Sequence, residues 1–519
     1  MKRSLLSCLA VSAGITLASP AVAETSLRVS VNSDIRSTQF GVNRDGTTDT
    51  VLHHVIEGLV AYRDDLSVGP LLAKSWEVSP DGTAYTFTLR DGALFHNGQP
   101  VTASDVKWSW ERLLNPETKF VCRNWFDGTG GTGIKITSIE TLDDKRVRFT
   151  LQEPNALFLS RMAHMVCLSG IIHKDTVGAD GSWNNPIGTG PFTIKEWRKN
   201  QFIELAKFDR YVPLKEKADG YAGNREPRVD RIRFLVIADP AAAKAALLAG
   251  DIDVLTNLDL DAVEEVKNAK GIRVGLNITP GWEVMLMQDQ DPLLKDKRIR
   301  QAIAHAINRD EIVLAATAGL GKPNPSAVAE KSSFFGKDFQ QGLSYSPDKA
   351  RQLLKEAGYK GETIKLTSNA QYPFDNKSAI AIQSMLQRVG INVELEVLDW
   401  ATQFKNYNEG RTQLMVMGFS ARPDPTLMYD VFMGDRNKRK NVYYADEKAL
   451  EALAQSSTTA DPEKRRQIFA QIHQRMIDDS SVMGLFNFVE ADAFRPERVK
   501  GFEVWSLGKS RFWGVEVAK

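Results

Sequence analysis

Polar and apolar residues alternate with a period of two over residues 84–89 and again over 146–151, the pattern of a strand buried on one face. Between them, Asp91-Gly92 and Asn97-Gly98 read as turns flanking Leu94-Phe95-His96. Residues 27–151 therefore read as mostly strand and turn. One helix, 106–114, interrupts them, and Thr102-Ala-Ser-Asp105 forms a capping box ahead of it. Further along, the period lengthens. Asp239 is an N-cap with Pro240 in the first helical position, and Gly250 stops that helix before a strand at 252–255. Ile299, Ala302, Ile303, Ala306 and Ile307 fall on one face of another helix. Ser346-Pro347 opens a helix that Gly358 closes. A strand at 363–367, a helix at 377–389 and a strand at 391–398 then form a βαβ-like unit. Asp461-Pro462 starts a last helix running to about residue 479. No repeat, low-complexity tract or long linker divides the chain. Lobes joined without a linker share crossing strands and move as hinged bodies.

The N-terminus carries a different pattern. Met1-Lys2-Arg3 is followed by an apolar run, residues 5–17, and by Ser19-Pro20-Ala21-Val22-Ala23. These are the three regions of a secretory signal peptide, residues 1–23, with cleavage after Ala23. The run is too short to span a bilayer, and no later stretch approaches 18 uninterrupted apolar residues. The mature chain is expected to start near Glu24 and to work outside the cytoplasm. Its roughly 496 residues are too many for one core and call for two or three lobes.

Charge and cysteine usage narrow the partners. The 519 residues hold 66 Lys and Arg against 65 Asp and Glu. Losing Lys2 and Arg3 leaves 64 basic residues against 65 acidic ones. That balance argues against nucleic acid or an anionic membrane as the main partner. Cys8 leaves with the signal peptide. Cys122 and Cys167 read either as one disulfide, in an oxidising compartment, or as two buried thiols.

Several chemical signals fail on context. Gly128-Thr-Gly130-Gly-Thr-Gly133 has GxGxxG spacing, but a strand follows it where a phosphate site needs a helix N-terminus. His53 and His54 sit side by side on a helix and point about 100° apart, so they do not face one metal. There is no HExxH, no GxSxG and no motif that pairs carboxylates as acid and base. No enzyme, cofactor or directly bound metal is expected.

Longer segments identify a family. Val68-Gly-Pro-Leu-Leu-Ala-Lys-Ser-Trp76-Glu-Val precedes Tyr85-Thr-Phe-Thr-Leu-Arg-Asp-Gly-Ala-Leu-Phe-His96-Asn-Gly. Val101-Thr-Ala-Ser-Asp-Val106, Pro186-Ile-Gly-Thr-Gly-Pro191-Phe and Arg298-Ile-Arg-Gln-Ala-Ile303-Ala-His-Ala-Ile-Asn308-Arg follow in order. The chain resembles the extracellular solute-binding proteins of ABC importers, in the family with dipeptide-, oligopeptide- and nickel-binding members. The resemblance covers essentially the whole mature chain. It implies an α/β fold of the periplasmic binding protein-like type II class, two hinged lobes with an extra subdomain inserted in the first. Lobe I falls at 24–279 and 485–519, the insert at 71–184, and lobe II at 280–484. Cys122 and Cys167 both lie in the insert, which favours their pairing.

The resemblance also implies a role. Such a protein is a monomer in the periplasm that captures a small molecule or short peptide between its lobes and delivers it to permease subunits in the inner membrane. Nickel-binding relatives capture chelates, which leaves a chelated metal open. Peptide-binding members hold the ligand's α-amino group with an aspartate in a lobe II loop. Here that loop is Gly418-Phe419-Ser420-Ala421-Arg422-Pro423-Asp424-Pro425, and Arg422 occupies the aspartate position. A cation there would pair with a carboxylate or phosphate, as in an opine or sugar conjugate. The alternative is an Arg422 turned to solvent, with Asp424 in the family role and a di- or oligopeptide as ligand. Trp125, Trp282, Trp400 and Phe419 are the aromatic candidates for stacking on a ligand, or else core residues. Trp400 lies in a segment that resembles a cleft-lining strand end. Phe40, Arg44 and Asp45 correspond to loops lining the lobe I side of the cleft, or else are solvated loop residues.

Overall fold

The computed structural model describes residues 24–129, 134–505 and 507–518. Residues 1–23, the expected signal peptide, and four positions of the glycine-rich run, 130–133, lie outside the described residues. A ten-stranded mixed sheet runs in the order Val393–Leu398, Ile364–Asn369, Leu414–Phe419, Arg273–Met287, Val482–Phe494, Val254–Leu255, Ser26–Val31, Arg231–Val236, Phe202–Lys207, Phe192–Arg198. Two long antiparallel strands, Arg273–Met287 and Val482–Phe494, join its halves. Their pairing is broken between Ile278 and Trp282 and again between Glu283 and Val284. Breaks of this kind kink a strand pair and raise its local twist. A separate antiparallel sheet, Ala73–Val78, Ala84–Leu89, Arg146–Leu151 and Ile136–Thr141, is covered by the helix Ala103–Leu114. Buried Trp110 of that helix meets Phe126 and Phe149 edge-on.

The buried side chains gather into separate cores. One contains Leu27, Phe87, Phe234 and Phe512, and two others contain Ile303, Leu366 and Phe486, and Trp282, Tyr429 and Phe469. They mark two lobes that meet directly. Ala156 N–H donates to Ser457 O at 2.7 Å and Ser333 N–H to Asp65 O at 3.0 Å. Lys377 and Asp261 pair at 3.1 Å.

Local signals set most element ends. The capping box at Thr102 and Asp105 is present, and Asp239 accepts from Ala242 N–H at the start of Pro240–Ala249. Gly250 ends that helix with φ 87°, a conformation that favours glycine. Elsewhere the boundaries differ by a few residues from those expected. Ladder pairing in the next strand starts at Val254, and the preceding Asp253 turns its carboxylate onto Arg28 and Arg498. The helix expected at 377–389 is Pro373–Arg388, its entry held by Tyr372 N–H on Asn369 Oδ1 at 2.8 Å.

Candidate functional site

The strand Leu414–Phe419 and the helix Pro425–Phe432 are joined by the loop that carries both charged candidates of the second lobe. Asp424 caps the helix, accepting from Thr426 N–H at 3.0 Å. Its two oxygens also take Arg465 bidentately, at 2.9 and 2.8 Å, and the residue is 4% exposed. A buried carboxylate so committed is not free to hold a ligand's ammonium group. Arg422 differs. It is half-buried, and Nη1 donates to Ser420 O at 2.8 Å. Among the described residues it forms no ion pair. Burial lowers its pKa, while Tyr407 and Asp430 stand near enough to oppose that effect.

The first lobe supplies the facing wall. Ser160, in the short helix Phe158–Met162, points its hydroxyl at Asp424 across the lobes, 3.5 Å away. The next residue, Arg161, lies over the face of half-buried Trp125 at 4.4 Å. His164 meets the same indole edge-on at 5.0 Å. Burial, with the charges of Arg422, Arg161 and Arg44 behind it, lowers the His164 pKa to about 3, so its ring is neutral. Cys122 and Cys167 are joined, with Cα atoms 5.8 Å apart. This bond ties the segment carrying Trp125 to the segment carrying Arg161 and His164. Asp430, whose pKa burial raises, approaches Arg439 at 4.0 Å and feels the charges of Arg161 and Arg422.

The remaining candidates separate by environment. Trp400 is the first residue of the helix Trp400–Glu409 rather than a strand end, because Asp399 caps that helix. It is half-buried, with Tyr372 edge-on at 4.9 Å and Phe404 stacked at 5.4 Å, both exposed. Trp282 is 1% exposed, and its Nε1–H donates to Asn324 O at 3.0 Å. Phe419 packs on Phe432 inside the same core, and Phe40 is buried against Trp183. These three aromatic rings serve packing. Arg44 is paired with Asp49, and Asp45 caps the helix Gly46–Leu52 through Thr48. Neither offers a free charge to a ligand.

The histidine pair is structural as well. His54 Nε2 accepts from Phe512 N–H at 3.1 Å, which leaves Nδ1–H to donate to Thr50 O at 2.8 Å. His53 Nε2 meets Met165 O at 3.0 Å. Among the described residues no group of three or more His, Cys, Asp or Glu is arranged to hold a metal. Sequence reasoning passed over Arg161. Its only signal was a lone cation within the apolar run Leu157-Phe-Leu-Ser-Arg161-Met.

The profile of the bacterial extracellular solute-binding proteins, family 5 Middle, matches residues 67–440. The chain belongs to this family. It is similar to the dipeptide-binding protein of Escherichia coli K12, 27% identical over 508 residues, 92% of this chain and 91% of that one. A putative ABC transporter peptide-binding protein of Brucella ovis is 33% identical over 387 residues, 71% of this chain and 69% of its own length. Among solved structures, AgaA of A. tumefaciens R10 in complex with agropinic acid superposes with a TM-score of 0.72 at 27% identity, covering 95% of this chain and 99% of AgaA. HbpA2 of Haemophilus parasuis shares the fold with a TM-score of 0.83 at 22% identity, over 95% of this chain and all of that one. The protein is thus a solute-binding component of an ABC importer, with the two-lobed type II fold. It is not an enzyme.

Proposed function

We propose that this protein captures a small organic solute bearing an acidic group, of the opine or sugar-conjugate kind, and hands it to permease subunits in the inner membrane. The observation that carries this reading is Arg422, a half-buried cation that forms no ion pair among the described residues, which supports a place for it in the cleft. It stands where peptide-binding members of the family hold an ammonium group with an aspartate. The agropinic acid held by AgaA is a solute of the proposed kind, which supports the reading. Half-buried Trp400, with Tyr372 and Phe404, offers aromatic faces on the same lobe for the rest of such a ligand.

In this reading the protein acts as a monomer in the periplasm after cleavage of residues 1–23. Lobe I spans 24–279 and 485–519, with the insert at 71–184, and lobe II spans 280–484. The breaks in pairing near Trp282 and near Gly484 support hinge points at these boundaries. A second reading, capture of a di- or oligopeptide, is favoured by the named roles of the E. coli and Brucella relatives. Mass spectrometry of small molecules released on denaturing the purified protein separates the two. An acidic non-peptide solute supports the first reading; a peptide overturns it.

A further inference from the structure

We infer that Arg161 is a second anchor for the ligand's acidic group, reaching it from the lobe opposite Arg422, so that one anion ties the lobes together. This rests on the acidic-solute reading above. Five arginines are buried among the described residues. Four of them donate to carboxylates or carbonyls, although the Nε of Arg90 is also without a partner. Arg90 pairs with Glu57, and Arg465 with Asp424. Arg300 holds Asp479 and the carbonyl of Leu294, and Arg225 donates to the carbonyls of Tyr221 and His53. Arg161, 4% exposed, is the exception. Its side chain donates no hydrogen bond and pairs with no carboxylate among the described residues, and its Nε is buried without a partner. A buried guanidinium left so is costly, and native proteins satisfy such groups with very few exceptions. A partner that arrives with the ligand removes the cost.

The surroundings select that partner. Trp125 fixes the guanidinium plane, and the Cys122–Cys167 bond holds the two segments together. The neighbouring Ser160 hydroxyl lies 3.5 Å from Asp424 of the other lobe, so Arg161 stands at the lobe interface. Neutral His164 adds no charge. Asp430, at 4.0 Å from Arg439, is shared among three arginines, and Asp424, which also acts on Arg161, is committed to Arg465. The balance calls for an anion with several acceptor lone pairs, a carboxylate or a phosphate. A neutral hydroxyl can accept from two donors but carries no charge to offset two guanidinium groups.

The test uses the purified protein with agropinic acid, citrate, glucuronate and Ala-Ala as probes. Methionine at 161 keeps length and a favourable contact with the Trp125 ring. For Arg161→Met the expected result is an affinity about tenfold or more lower for the tightest probe. Ligand-induced compaction in small-angle scattering should also be lost, with partial recovery in Arg161→Lys. The ligand-free variant should melt at the same temperature or higher, since it no longer buries an unpaired charge. Unchanged affinity, or a ligand-free variant that melts several degrees lower, overturns the inference. A wild type that prefers Ala-Ala to every acid overturns the acidic-solute reading instead, and the effect of Arg161→Met on Ala-Ala binding then decides the anchor on its own.

Discussion

The two charged residues of one loop, Arg422 and Asp424, sit two positions apart and do opposite things. Asp424 is buried, caps a helix and holds Arg465 with both oxygens. Arg422 is half-buried, donates to a backbone carbonyl and forms no ion pair among the described residues. The difference teaches which charges a ligand can use. A group already satisfied inside the fold contributes stability, and one left without a partner is available for recognition. The same contrast divides the facing wall, where Arg44 is bound to Asp49 while Arg161 has no carboxylate among the described residues.

The largest effect should come from breaking the satisfied member. Asp424→Ala strands the buried Arg465 charge and is expected to cost about 3–5 kcal/mol of stability, read by urea denaturation. If Asp424 instead served the ligand, affinity would fall while stability held. Next is the covalent brace of the lobe I wall. Replacing Cys122 and Cys167 by serine opens a link between residues 45 apart and should lower stability by roughly 3–4 kcal/mol. It should also weaken ligand binding, because Trp125 and Arg161 lose their common frame.

A smaller effect sharpens the contrast between lobes through pH. Burial depresses His53, His54 and His164 on the first lobe from 6.5 to about 3. Their contribution is complete above pH 6.5 and is lost as pH falls toward 3. On the second lobe, burial raises Asp375 from 3.8 to about 7, beside buried Glu283, itself raised. That contribution is complete below pH 3.8 and is lost as pH rises through about 7. Melting curves from pH 3 to 8 should therefore lose part of their acid slope in His164→Gln and part of their neutral-pH slope in Asp375→Asn. The reverse assignment of slopes would contradict this account.

Much of the fold was legible because its signals are local. Asp239-Pro240 and Asp461-Pro462 each announce a helix start, and the structure has both. Asp424-Pro425 is the same signature, and reading it so would have assigned Asp424 to capping from the sequence alone. The aromatic candidates were not separable in this way. A tryptophan in a core and one at a cleft have the same local pattern, and only burial distinguishes Trp282 from Trp400. Arg161 escaped because its importance lies in what it lacks, a partner distant in sequence.

The central claim is that Arg422 selects an acidic solute. Calorimetric titration of wild type and Arg422→Ala with agropinic acid tests it most directly. The expected result is an affinity about tenfold or more lower in the variant, with melting temperature essentially unchanged. Equal affinity in the two proteins would contradict the account and return the site to a peptide-binding reading.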